Sequence, residues 1–258
     1  MTKKLFLAAC IAAMALTGCK KDPQPDPTPG PTPEPQTVSR LASLVHKNVA
    51  PSGIELKTIS YFTWENGKLV KEVDSLISPF TGPVVTMQNL FYENGNHVRT
   101  EESDGVWQHY FTYQDGVLTT FVDIYRNDTL FFGEVTAYNA DGKLEEVIFN
   151  TNPKMNKYHL TWEGDNATQL VEYIIQPAEE ADTLTYNIDY DGKPCVYTGL
   201  PLSFCLIGAN DVYILDRISK HNVYDASYTY NYDEKDRLVS KVKENDSIFY
   251  YYIEQTIE

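Results

Sequence analysis

The sequence predicts an all-β protein: an antiparallel hairpin meander of about fourteen strands, curled into a barrel-like soluble domain. Three observations predict it. The 258 residues include 19 Tyr and 11 Phe but only 4 Met, a balance that suits a pleated, half-buried surface. Asn-Gly or Asp-Gly recurs along the chain, supplying the positive φ that two-residue hairpin loops need. No segment keeps a helical hydrophobic period over twelve residues. At 42% hydrophobic and 22% charged residues, the chain can bury a sizeable core, which excludes global disorder.

Residues 1–18 read as an address. Lys3 and Lys4 precede an apolar run from Leu5 to Leu16, too short to cross a bilayer as a helix. Leu16-Thr17-Gly18-Cys19 then resembles the lipobox of bacterial lipoproteins. That resemblance implies cleavage before Cys19, acylation of its thiol and new amine, and an anchor in the outer membrane. More than one acyl chain is what makes such an anchor stable. The remaining chain carries 19 basic and 36 acidic residues, a net charge of −17 against −15 for the whole sequence. Such a polyanion is a poor partner for nucleic acid, which is held through Lys and Arg.

Residues 19–36 form a linker. Proline occupies every odd position from Pro23 to Pro35, so neither a helix nor a sheet ladder can form. A polyproline II stalk of roughly 45 Å, at about 3.1 Å per residue, would hold the body clear of the lipid. The Lys-Asp that follows Cys19 loosely resembles the acidic surface-export signal of Bacteroidetes lipoproteins, although proline interrupts its acids.

Residues 37–258 form a single β-meander domain built on one recurring phrase: an aromatic, a polar turn with glycine, then a strand. Its aromatic anchors Trp64, Tyr92, Tyr113, Tyr138 and Trp162 stand 28, 21, 25 and 24 residues apart, room for two strands and two turns each. Gly67, Gly95, Gly105, Gly116, Gly142 and Gly192 all follow Asn or Asp and are expected at hairpin corners. Leu200 to Ser219 lacks hairpin spacing and reads as a short helix or an irregular crossover. A second turn type is expected at Asp74-Ser-Leu, Asp128-Thr-Leu, Asp182-Thr-Leu and Asp246-Ser-Ile, where Asp would cap the bend. The triplets also resemble the general O-glycosylation motif of Bacteroidetes, which implies Ser75, Thr129, Thr183 and Ser247 as sites.

A membrane-spanning barrel needs an uninterrupted apolar band. Lys68, Lys71, Glu145, Glu146, Lys241 and Lys243 interrupt it. Four phrases carry a resemblance of wider extent: Trp162-Glu-Gly-Asp-Asn166, Tyr190-Asp-Gly-Lys-Pro194, Ile218-Ser-Lys-His-Asn-Val223 and Tyr228-Thr-Tyr-Asn-Tyr-Asp233. Their order is similar to a Bacteroides-type lipoprotein family, a domain of unknown function with a porin-like fold. The resemblance spans most of residues 40–258 and brings no catalytic or binding residues. The Tyr-Asn-Ala-Asp-Gly-Lys-Leu phrase also resembles the YD repeats of Rhs-type shells, although this chain is too short for a large cocoon.

Chemical motifs are few. His46, His97, His109, His159 and His221 form no zinc-binding pattern and read as lone surface histidines. There is no nucleophile elbow and no phosphate loop, and no cofactor or metal is expected. The acidic turns Asp233-Glu-Lys-Asp236 and Gly164-Asp-Asn166 lack the calcium-loop pattern and read as solvated carboxylates. Cys195 and Cys205 remain in the exported body; an even pair there suggests a disulfide closing about ten residues, worth roughly 2–3 kcal/mol, with two buried thiols as the alternative. Trp64, Trp107 and Trp162 are either ligand contacts or core anchors. The functional expectation is a surface-directed lipoprotein acting as a binding or structural module, its partners the membrane, glycans or envelope proteins. The alternative is a glycan-active hydrolase of the cell envelope, which would need only two carboxylates brought together in space.

Overall fold

A computed structural model describes residues 35–150, 155–175, 182–207 and 213–257; the leader, Cys19 and nearly all of the proline stalk lie outside them. Among the described residues, seventeen strands and two short helices follow one another. The first half contains β1 (Gln36–Val49), β2 (Glu55–Glu65), β3 (Lys68–Ser78), β4 (Gly82–Glu93), β5 (Asn96–Glu102), β6 (Trp107–Gln114), β7 (Val117–Tyr125) and β8 (Asp128–Tyr138). After it come β9 (Leu144–Asn150), β10 (Met155–Glu163), β11 (Asn166–Ile175), β12 (Asp182–Asn187) and β13 (Asp189–Pro194). Then α1 (Leu202–Leu206), α2 (Tyr213–Ile218), β14 (His221–Tyr224), β15 (Thr229–Tyr232), β16 (Leu238–Lys243) and β17 (Asp246–Ile257) complete the chain.

Fifteen strands form one antiparallel sheet in the order β12 back to β1, then β17, β16 and β15; β13 and β14 pair separately. The barrel-like description holds only loosely, because β12 and β15 end the sheet and it is not closed. The gap is bridged by other means. The Tyr190 hydroxyl on β13 donates to the Ala167 carbonyl on β11, while the Tyr232 hydroxyl on β15 donates to Asp191 on β13.

The described parts of the stretch without hairpin spacing, 200–207 and 213–219, carry α1 and α2 and pack against one face of the sheet. Val196 and Phe204 pack with Leu41, Phe62, Leu69, Leu90, Leu238 and Tyr250. Leu206 and Leu215 pack with Phe121, Val147, Leu160 and Leu170. Strands from both halves of the sheet therefore share these two clusters with the central segment. Apolar burial at about 25 cal/mol per Å² drives that packing.

The corners match the turn chemistry at Asn66-Gly67, Asn94-Gly95 and Asp115-Gly116, where both residues of each pair have positive φ. Gly192 departs from the expectation: it lies inside β13, at an irregularity between Tyr190 and Pro194. Arg126-Asn127 makes the same two-residue turn with no glycine, at φ 51° and 72°.

The aromatic anchors share one geometry. Trp64, Tyr92, Tyr113, Tyr138, Trp162 and Tyr232 each sit beside a register shift just before a turn. Their cross-strand partners are Leu69, His97, Leu118, Leu144, Ala167 and Leu238, all at 3% exposure or less. The polar tip of each following anchor then reaches back to that partner's carbonyl. Tyr92 donates to Leu69 at 2.8 Å, Tyr113 to His97 at 3.0 Å, Tyr138 to Leu118 at 2.8 Å and Trp162 to Leu144 at 2.7 Å. Trp64 donates to Leu41 and Tyr252 to Leu238 in the same manner. Every such bond ties one hairpin to its neighbour at a place where the bulge has loosened the ladder. Tyr92→Phe is expected to cost about 1 kcal/mol, the net worth of one such bond, as read from the urea midpoint.

Candidate functional site

The bulges also decide which side chains face inward. Alternation counted from Leu69 would turn residues 71 and 73 inward. The extra residue Val70 shifts the count, so Glu72, Asp74 and Leu76 line the inside instead. In four of the other hairpins the residue three beyond the anchor's partner is Thr100, Phe121, Val147 or Leu170, each at 1% exposure or less, while after Leu238 it is Lys241, half-buried and paired with Asp216. Glu72 takes that position in the β2–β3 hairpin.

Glu72 and Asp74 line a cavity of about 440 Å³ between β1–β3 and the central segment. Ser60 is directly opposite Asp74, and Phe62 is opposite Glu72. Tyr197, Phe204 and Arg217 close the far side. Burial pushes the Glu72 carboxyl up to about 8, the Asp74 charge pushes the same way, and Arg217 opposes both. Asp74 is also raised by burial, against a Ser60 hydrogen bond and Arg217. Glu72 is therefore held protonated at neutral pH, a state in which it can both donate and accept.

Three further hairpins place an acid where Asp74 sits, Glu102, Asp123 and Glu172, and two of these have a strong partner. Asp123 lies opposite His109 and pairs with it at 2.7 Å; Glu172 lies opposite Tyr158 and accepts from its hydroxyl at 2.9 Å. Asp74 faces only the short Ser60, and its Oδ1 is buried with no hydrogen-bond partner. Arg217 is similarly under-used. Its guanidinium sits 5.9 Å from the Tyr197 ring centre, and among the described residues it makes no hydrogen bond or ion pair.

Arg217, Tyr197 and Leu200 are shared with a second cavity of about 430 Å³, lined by Leu144, Trp162, Leu202 and Ile218. A guanidinium thus stands between one cavity bearing two carboxyls and another that is mainly apolar. His46 stands at the margin of the acid cavity, its Nε2 2.6 Å from Asp246, which also accepts from the Tyr228 hydroxyl.

The residues singled out from sequence are dispersed. Trp64 is a buried anchor. Trp162 is an anchor that also lines the apolar cavity. Trp107 packs on Tyr125 at 4.8 Å and stacks on His109. Thr129 and Thr183 lie exposed at the starts of β8 and β12, and Ser247 lies half-buried at the start of β17. Ser75 is a correction: Asp74-Ser75 is mid-strand in β3 and not a turn. His97 and His109 also correct the surface expectation, being buried at 1% and 5% exposure. His97 bonds Ser203 of α1 and Thr100, and burial pulls its ring down to about 4.

Of the two readings of Cys195 and Cys205, the structure has the buried thiols and no disulfide: both cysteines are free and buried. Their sulfurs donate to the successive carbonyls of Asp216 and Arg217, and burial pushes both up to about 12. Two thiols are expected to titrate once the non-lipidated domain is denatured without reductant, and neither at neutral pH before that. The acidic turns hold side chains of the chain itself: Asp233 pairs with Arg237, and Asp165 with Lys143. Among the described residues no group of three or more His, Cys, Asp or Glu could hold a metal, and no helix is long and apolar enough to cross a membrane.

Comparison with protein-family models and with curated proteins finds no match to this chain.

Proposed function

We propose that this protein is an exported lipoprotein, held at the outer membrane through Cys19, whose stalked β domain is a ligand-binding module. Cys19 after Leu-Thr-Gly and the seven-proline linker support the tether. The observation that carries the binding role is Glu72. An acid raised by burial, at a position that four other hairpins give to buried residues and with no ion-pair partner among the described residues, lowers stability, and such a cost is characteristic of functional positions. The cavity beside it is of ligand size. Metabolic labelling with palmitate tests the anchor: the wild-type protein takes up label, and a Cys19→Ala variant that stays labelled refutes it. Ligand-induced changes at Glu72, Asp74 or Arg217 test the binding role.

A second reading, hydrolysis of an envelope glycan, is favoured by the two adjacent carboxyls, with Glu72 as the protonated acid. Product release from cell-wall or dietary glycans, lost in Glu72→Gln, would establish it. The triplets at Thr129 and Thr183 are proposed as O-glycosylation sites because both residues are exposed. Intact mass of the native protein decides: lipid plus polypeptide alone sinks the idea.

A further inference from the structure

Opposite charges that line one cavity normally pair. Here Glu72 and Asp74 share a cavity with Arg217, yet the guanidinium takes neither carboxylate within ion-pair distance. Such an arrangement is complementary to a dipolar molecule, with an acceptor end and a donor end held apart. The Arg217 fork suits a carboxylate, which it can bind through two parallel hydrogen bonds. The two half-buried acids that line the cavity suit an ammonium. Arg217 also borders the apolar cavity, so a ligand whose carboxylate sits on it has Leu144, Leu202, Ile218 and the Trp162 ring within the next 430 Å³.

From this geometry we infer that the paired cavities bind a zwitterionic α-amino acid with an apolar side chain. Its carboxylate lies on Arg217, its ammonium on Glu72 and Asp74, and its side chain in the cavity lined by Trp162. The inference rests on the binding-module reading and gives it a ligand class. Charge balance agrees. Arg217 and the two acids together bear one net negative charge when both acids ionise and none when Glu72 keeps its proton, so no further counter-ion is needed for a ligand of zero net charge. A single-charge ligand leaves either the guanidinium or the acid pair desolvated and unmet, which costs more than the missing contact itself.

The test uses the unaltered domain and four probes of one size: L-phenylalanine, 2-phenylethylamine, 3-phenylpropanoate and 2-phenylethanol, titrated by calorimetry and by tryptophan fluorescence. L-Phenylalanine is expected to bind about tenfold or more tightly than either singly charged probe, given the worth of one charge-assisted hydrogen bond. Arg217→Met should remove its advantage over the amine. The double variant Glu72→Gln, Asp74→Asn should remove its advantage over the carboxylate. Either singly charged probe binding as tightly as L-phenylalanine to the unaltered domain overturns the inference, whatever the variants do. If the alcohol alone binds, the cavity remains a binding site but not one for amino acids. If none of the four binds, both this inference and the cavity as the ligand site fall.

Discussion

Gly133→Ala is expected to be the most damaging single-methyl change in the sheet. A Cβ built on Gly133 falls 2.0, 2.2 and 2.5 Å from three atoms of the Phe121 ring. The ring cannot retreat cheaply. Phe121 is 1% exposed and packs against Phe131 and Phe149 at centroid distances of 5.7 and 5.4 Å. Gly133 and Phe121 are direct cross-strand partners on β8 and β7, so moving the ring means moving a strand pair. Overpacking of this kind costs about 1–3 kcal/mol and more where the neighbours are rigid. The expected readout is a urea midpoint lowered accordingly. Phe121→Leu placed in the Gly133→Ala background should recover part of the loss, because the two changes share one volume.

The opposite sign is expected for Glu72→Gln. The folded protein holds this carboxyl at about 8 against an ordinary 4.5. Between those values the folded state binds a proton that the unfolded state has released. Stability therefore falls as pH rises through that window, and the penalty is complete above pH 8. At pH 7 it is on the order of 3 kcal/mol, from 1.36 kcal/mol for each tenfold change in proton affinity. Glutamine keeps the shape and carries no charge. The variant should melt several degrees higher at pH 8, little higher at pH 4.5, and show a flatter dependence of melting temperature on pH. A protein stabilised by losing Glu72 is one in which that residue serves something other than folding.

Much of the architecture was legible in the chain. Asn66-Gly67, Asn94-Gly95 and Asp115-Gly116 mark corners because positive φ at both positions is cheap for these residues. The aromatic anchors were legible as spacing, although their reach across to Leu69, His97, Leu118 and Leu144 depends on which hairpins become neighbours. Arg126-Asn127 was hidden because asparagine there stands in for glycine. Asp74-Ser75 read as a bend because aspartate caps bends, yet in β3 the pull of the inner cavity face prevails.

The candidate site was the least legible part, and the bulge at Val70 is the reason. Strict alternation would send Glu72 and Asp74 to solvent, where two acids mean nothing. A one-residue shift turns both inward. The same shift after Leu118, Leu144 and Ala167 buries Phe121, Val147 and Leu170. An alignment of the hairpins to each other, anchored on the turn, would have shown Glu72 in the column that holds Thr100, Phe121, Val147 and Leu170, with Lys241 as its other charged member. Arg217 had no such signal. It comes from the helical stretch between β13 and β14, and only the curling of the sheet brings it to β3.

The proposed binding role turns on the ionisation of one side chain. A carbon-detected NMR titration of the glutamate carboxyls, with Glu72 assigned by its absence from Glu72→Gln, measures it directly. A midpoint near 8 for Glu72, with a downward shift on adding L-phenylalanine, is the predicted result. A midpoint near 4.5, unmoved by ligand, would mean that the carboxyl is solvated and that the cavity is no recognition site.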